Sequence, residues 1–128
     1  MRYLLDTHLL VWTANQPERL SVVAAEAIAD PDNDLYFSAI SIWEVAIKQN
    51  LGRSSFTVDA PTLRRGLLAN GLREIQLTGD HGIATLGLPP IHQDPFDRIL
   101  IAQATSENIT LLTSDVKIAR YPGPIQKV

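Results

Sequence analysis

The stretch that most restricts how this chain can fold runs from His92 to Ala104. Asp94 followed by Pro95 predicts a helix start, because aspartate caps the free N–H groups of a first turn and proline there loses no hydrogen bond. From Ile99 onward the helix is apolar on nearly all sides, which is typical of a helix buried inside a domain. Asp97 therefore places a carboxylate at the beginning of a buried helix. Two interpretations stay open: a capping box in which Asp97 folds back onto the cap, or a charge kept for chemistry.

Short apolar segments alternate with helical ones along the whole chain. Strands are predicted at 2–5, 35–37, 73–77 and 109–112, with Ile125 in a short fifth strand at the edge. Helices are predicted at 8–14, 22–29, 41–50, 61–69, 79–86, 95–104 and 115–119, and a loop at 53–60. This alternation implies parallel strands joined by right-handed crossovers, with helices on both faces. A chain of 128 residues then forms one domain, spanning 1–128, of the three-layer α/β/α class with a mainly parallel sheet of four or five strands.

Composition narrows the class of protein. The formal net charge of −3 argues against a broad basic face for nucleic acid, although neutralising four carboxylates with metal would bring the chain close to neutrality. Without cysteine there is no disulfide framework and no thiolate chemistry. Asp6 and His8 interrupt the apolar run near the start, so a secretory signal is not expected. No segment approaches the roughly 20 apolar residues of a membrane span. We expect a soluble, cytoplasmic protein.

Four acidic residues occupy comparable places in the predicted fold. Asp6 and Asp115 follow the first and fourth strands, whereas Glu44 and Asp97 lie in the first turns of helices that run back across the sheet. Because a helix that follows a parallel strand begins at the carboxyl end of that strand, all four should gather at one edge of the sheet. No local capping requirement links residues so far apart in sequence.

Four carboxylates in one cleft stay ionised together only if cations neutralise them. Oxygen ligands without sulfur favour Mg²⁺ or Mn²⁺ over zinc. Such ions activate water and stabilise a leaving oxygen at a phosphate. The pattern therefore predicts metal-assisted phosphodiester hydrolysis.

Several other polar and aromatic residues receive structural interpretations. Ser41 and Glu44 have the spacing of a capping box, and Arg98 is predicted to pair with Asp94 one turn away. We interpret the three histidines as structural or surface residues (His8, His81 and His92) and the two tryptophans as core or dimer contacts (Trp12 and Trp43). The paired arginines are expected on a solvated helix face (Arg64 and Arg65). Two hydroxyl groups either contact phosphate or water or only satisfy backbone groups at turns (Thr7 and Ser114).

Taken in order, four motifs resemble those of PIN-domain ribonucleases, most of all the VapC-like toxins of bacterial toxin–antitoxin pairs. They are Leu4-Leu5-Asp6-Thr7-His8, Ser41-Ile42-Trp43-Glu44, His92-Gln93-Asp94-Pro95-Phe96-Asp97-Arg98 and Thr113-Ser114-Asp115. The resemblance covers essentially the whole chain. Its most specific part is the aspartate-proline-phenylalanine-aspartate-arginine run before an apolar helix.

The resemblance implies Mg²⁺- or Mn²⁺-dependent endonucleolytic cleavage of RNA, with Asp6, Glu44, Asp97 and Asp115 as the catalytic, metal-binding set. Within this set we expect Asp6 and Asp97 to bind metal directly, and Asp115 and Glu44 to complete the site or orient the attacking water. It also implies a homodimer and a small antitoxin that covers the site. Asp94, next to Asp97, either shares ligand duty or only caps the helix. The alternative function is a non-catalytic PIN-like interaction module. A phosphoacceptor receiver domain would need a second acid near the first strand, and only Asp6 is present there.

Overall fold

The fold, taken from a computed structural model, is described for residues 1–53 and 56–128. Ser54 and Ser55, part of the loop predicted at 53–60, lie outside the described residues. The elements follow in chain order: β1 (Arg2–Leu5), α1 (Thr7–Asn15), α2 (Val22–Ala29), β2 (Asp34–Ser38), α3 (Ala39–Asn50), α4 (Ala60–Ala69), β3 (Arg73–Ile75), α5 (Gly79–Ala84), α6 (Pro95–Glu107), β4 (Thr110–Thr113), α7 (Val116–Ala119) and β5 (Ile125–Lys127), with short 3-10 turns at Pro17–Arg19 and Thr85–Gly87.

The strands form one sheet in the order β3-β2-β1-β4-β5, and every neighbouring pair is parallel. β1 lies at the centre, with Leu4 opposite Tyr36 of β2 and Leu111 of β4. The predicted α/β fold is confirmed, and the sheet has its fifth strand. Because all strands run the same way, β1 and β4 end at the same edge, where Asp6 and Asp115 follow them.

Each face of the sheet packs against its own group of helices. Tyr3 and Leu5 of β1 join a core cluster with side chains of α1, α2, α3 and α4, whereas Leu4 between them joins a second cluster with α6 and α7. Successive side chains of a strand point to opposite faces, so this alternation places one helical layer on either side. The predicted three layers are therefore present. Residues 100–104 of α6 are all buried, as the apolar stretch predicted.

The beginning of α3 differs from the prediction. Ser38 is the cap, its Oγ accepting from the Ile40 N–H at 3.1 Å, and the helix starts at Ala39. Ser41 is therefore a buried residue inside the first turn, and the predicted Ser41–Glu44 capping box is wrong. Because they are three residues apart, Ser41 and Glu44 lie on the same side of the helix, where both side chains contact Thr7 of α1.

Arg98 does not pair with Asp94, so that prediction is wrong. Its guanidinium donates instead to the backbone carbonyls of Thr85, Leu88 and Pro89 at 3.1, 3.4 and 2.9 Å. The loop before α6 is rich in proline, which supplies carbonyls without N–H donors. Arginine, with five donors in a fixed fork, satisfies several of these carbonyls together and ties the loop to α6.

Three other structural interpretations can be compared with the fold. Trp12 packs against the first core cluster as predicted, but Trp43 is 58% exposed and contacts the Phe96 ring edge-on. Trp43 is therefore not a core residue. Arg64 lies on an exposed helix face, as predicted, where it forms a two-pronged ion pair with Glu74. Among the described residues no helix is long and apolar enough to cross a membrane.

Candidate active site

Asp6 lies at the carboxyl end of β1 and begins α1. Its Oδ1 accepts from the Leu9 N–H at 2.9 Å, as an N-cap does, and its Oδ2 accepts from the Thr113 hydroxyl at the end of β4. The same Thr113 oxygen accepts from the Asp115 N–H at 3.0 Å. Asp115 in turn caps α7 through the Lys117 N–H. Thr113 therefore connects two of the four predicted acids across neighbouring parallel strands.

Glu44 reaches the same edge from α3. Its Oε1 lies 2.8 Å from the Thr7 hydroxyl, and its Oε2 lies 3.0 Å from Lys48 Nζ. Thr7 directly follows Asp6 in the chain and also contacts Ser41 at 2.9 Å. Glu44 is buried, so these contacts fix a carboxylate that has little access to water. Thr7 thus links a third acid to Asp6.

Asp97 and two neighbours form a compact group at the start of α6. Asp94 caps the helix with Oδ1, which accepts from Phe96 N–H at 2.8 Å and Asp97 N–H at 3.3 Å. The Asp97 side chain does not return to the cap; its Oδ2 lies 2.8 Å from Nε2 of His92. The predicted N-cap is therefore confirmed, but the capping-box interpretation of Asp97 is wrong.

Burial and neighbouring charge raise the pKa values of two of these acids. Burial raises the pKa of Asp6, and Asp115 adds to this effect, while hydrogen bonds from Thr113 and Leu9 oppose it. Burial first, and then the charges of Asp94 and Glu44, raise the pKa of Asp97 to about 6 despite its contact with His92. The mutual repulsion shows that the four acids influence one another in pairs, Asp6 with Asp115 and Asp97 with Glu44.

The residues at this edge suit a divalent cation. One ligand atom each from His92, Asp94 and Asp97 lie within 4.8 Å of one another. Carboxylates that repel one another in a partly buried cleft are stabilised by a bound cation. Oxygen donors that are already fixed by hydrogen bonds, as those of Asp6 and Glu44 are, need little reorganisation to receive it.

Sequence reasoning missed the roles of three contributors. Thr113 was named only as part of a motif, Lys48 was given no role, and His92 was interpreted as structural or surface. A signal for His92 was present: a residue two places before the N-cap can reach a side chain of the first turn. The other two histidines fit the prediction, because His81 is buried and bonded to Glu107 and Thr78, and His8 is exposed. The interpretations of the Thr7 and Ser114 hydroxyls stay predictions, although Thr7 contacts Glu44 directly.

The chain is similar to proteins of one known family. Residues 3–124 match the family model described as PIN domain. Over 125 residues the chain is 30% identical to Ribonuclease VapC22 from Mycobacterium tuberculosis, and the alignment covers 95% of each protein.

Solved structures share the fold at lower sequence identity. VapBC2 from Rickettsia felis bound to a DNA fragment from their promoter gives a TM-score of 0.72 at 18% identity, covering 99% of this chain and 98% of that one. VapBC-1 from nontypeable Haemophilus influenzae gives 0.62 at 21% identity with the same coverage. DNA-bound VapBC from Salmonella typhimurium gives 0.65 at 16% identity, again with that coverage. At these identities the likeness establishes the fold.

Proposed function

This chain belongs to the PIN-domain family, and from that premise we propose that it is an endoribonuclease of the VapC type, the toxin of a toxin–antitoxin pair. The observation that supports the proposal is that acids from distant parts of the chain are connected at the carboxyl edge of a parallel sheet. Thr113 connects Asp6 with Asp115, and the charge of Glu44 acts on Asp97. The relative over nearly the whole length is a ribonuclease by name, so the phosphodiester to be cut is that of RNA.

The reaction depends on a divalent metal, which we propose to be Mg²⁺ or Mn²⁺ held by Asp6, Glu44, Asp97 and Asp115. A cation bound there lowers the pKa of water and neutralises charge at the scissile phosphate. Asp6 and Asp97 are the direct ligands in this proposal, and Asp115 and Glu44 complete the site or orient the attacking water. What supports these roles is the way each carboxylate is fixed: by Thr113 at Asp6, by Thr7 and Lys48 at Glu44, and by His92 at Asp97.

The proposed partners are RNA as substrate, a small antitoxin protein and a second copy of the chain. The solved structures that share the fold are named VapBC, which supports an antitoxin. Large apolar side chains such as Trp43, Ile83 and Leu86 are exposed at 58%, 67% and 86%, which supports burial of apolar surface in an assembly. Light scattering of the purified chain tests the homodimer, and co-purification with the product of a neighbouring short gene tests the antitoxin.

Cleavage of RNA by the purified protein tests the function. We expect endonucleolytic cuts in Mg²⁺ or Mn²⁺ that stop when EDTA is added. Asp6→Asn and Asp97→Asn should each lower the rate by at least about 100-fold, since each removes a charged metal ligand. Asp32→Asn, at an exposed turn, is the matched control and should cut at the wild-type rate. If Asp97→Asn cuts equally fast, the assignment of the site is wrong; tight partner binding without any metal affinity would favour the interaction module.

A further inference from the structure

We propose that His92 is a positioning residue that holds the Asp97 carboxylate in the orientation needed to bind the cation. The proposal rests on the proposed function, because it assumes that Asp97 is a metal ligand. It assigns a role in the reaction to a residue outside the four acids. It also connects the site to the loop that precedes α6.

The side-chain contact is direct. His92 Nε2 lies 2.8 Å from Asp97 Oδ2, and both side chains are more than four-fifths buried, at 17% and 16% exposure. An ionised carboxylate only accepts hydrogen bonds, so the imidazole donates from Nε2 whenever Asp97 is charged. Within 1–53 and 56–128, Oδ2 is the oxygen of Asp97 that has a hydrogen-bond partner, which leaves Oδ1 for a cation. One hydrogen bond therefore restricts rotation of the carboxylate without occupying its second oxygen.

The backbone of His92 is fixed by a single hydroxyl. The Tyr121 hydroxyl accepts from the His92 N–H at 2.7 Å and donates to the His92 carbonyl at 3.1 Å. Tyr121 itself is 4% exposed, in the second core cluster. Both backbone polar groups of this loop residue are therefore hydrogen-bonded to the same tyrosine.

Arg98 completes the support from α6. Its Nη1 donates to the Tyr121 hydroxyl at 3.1 Å and to the Pro89 carbonyl at 2.9 Å. Arg98 adjoins Asp97 in sequence, so the helix that carries the ligand also fixes the tyrosine that holds the histidine. The contacts form a closed loop of four residues: Asp97, His92, Tyr121 and Arg98. The backbone of His92 therefore cannot move away from α6 without breaking a partly buried hydrogen bond.

A direct ligand role for His92 is the competing interpretation, because one nitrogen of its ring and one oxygen each of Asp94 and Asp97 lie within 4.8 Å of one another. The geometry favours positioning, since Nε2 already points at Asp97 Oδ2. The two roles respond differently to the substitution His92→Gln. The side-chain amide of that variant can donate an N–H nearly as far from the backbone as Nε2, but an amide is a poor substitute for an imidazole ligand.

Calorimetric titration of Mn²⁺ into the wild-type protein, His92→Ala and His92→Gln separates these roles, with circular dichroism to show that each variant is folded. We expect His92→Ala to weaken Mn²⁺ binding about 10-fold or more, as loss of an outer hydrogen bond to a ligand typically does. His92→Gln should recover most of that loss and most of the cleavage rate. Equal Mn²⁺ affinity in the wild type and His92→Ala would overturn the proposal. So would a His92→Gln variant as weak as His92→Ala.

A double-mutant cycle tests the route through Tyr121. Tyr121→Phe keeps the buried ring and removes the hydroxyl, so we expect Mn²⁺ affinity to fall by about 3-fold or more. Because Tyr121 acts through His92, Tyr121→Phe added to His92→Ala should cause no further loss. Losses that multiply in the double variant would contradict this route. If the wild-type protein itself binds no Mn²⁺, the proposed function fails as well, whereas a failure confined to the variants refutes the role of His92 alone.

Discussion

The Asp97 carboxylate carries a charge that the fold alone does not stabilise. Its pKa is raised to about 6 by burial and by the charges of Asp94 and Glu44, so the ionised form is less stable in the folded protein than in the unfolded chain. A carboxyl group whose pKa is raised on folding contributes stability below its unfolded pKa and loses that contribution as pH rises through the folded value. In the absence of metal, Asp97 therefore destabilises the protein above about pH 6.

Asp97→Asn should accordingly raise the free energy of unfolding while it lowers the cleavage rate. At pH 8 in EDTA we expect a gain of about 1 kcal/mol, or roughly 4 °C in Tm, after allowance for solvent screening of a partly exposed group. The gain should disappear near pH 4, where Asp97 is protonated in the folded protein. Thermal denaturation of the two proteins across this pH range measures it. Asp32→Asn should match the wild type throughout, and a loss of stability in Asp97→Asn at pH 8 would show that the charge is not under strain.

The carboxyl end of α6 depends on the conformation of one residue. Asn108 ends the helix with φ 56°, a left-handed conformation that glycine and asparagine tolerate better than other residues. The Ile109 N–H then bonds back to the Ala104 carbonyl at 2.9 Å, and β4 begins at Thr110. The turn therefore leads directly from the buried helix into the strand beside β1.

Asn108→Ala should destabilise the protein by about 1 kcal/mol, because alanine in this conformation is strained and lacks the polar side chain that asparagine offers. Asn108→Gly should be neutral or slightly stabilising, since glycine has no Cβ to strain. Urea denaturation of both variants against the wild type measures the difference. Equal midpoints for the alanine and glycine variants would mean that the turn relaxes to another conformation.

Elements whose signals are local were predicted well, and those fixed by distant partners were not. The start of α2 at Val22 and the cap of α6 at Asp94 are determined by their own first turns, and both were predicted. The start of α3 was misplaced because Ser41 has the three-residue spacing from Glu44 that is typical of a capping box, whereas the cap is Ser38, the last residue of β2. The partners of Glu44 come from α1 and from the following turn of α3, which no local capping pattern contains.

At the scale of the whole molecule, the alternation of strands and helices sufficed to predict that Asp6 and Asp115 lie close together at one edge of the sheet. Parallel strands share one carboxyl edge, so the placement of Asp6 and Asp115 follows from chain order alone. Chain order does not predict distances between side chains. The positions of Thr113 between those two acids and of Tyr121 next to His92 depend on how β4 and the residues after α7 pack. The family resemblance named the acids, and the packing shows what holds each of them.

A cation bound at the proposed site, beside the central strands, should stabilise the whole domain. A ligand that binds only the folded state adds about 2.7 kcal/mol at one hundred times its Kd, which corresponds to roughly 10 °C in Tm for a chain of this length. We expect Mn²⁺ to raise the Tm of the wild type by that amount at pH 8 and by much less at pH 5, where protons occupy Asp97. Asp97→Asn should show little rise, despite its higher Tm in EDTA. NaCl at matched ionic strength controls for screening, and an equal Mn²⁺ effect on both proteins would mean that the cation binds elsewhere.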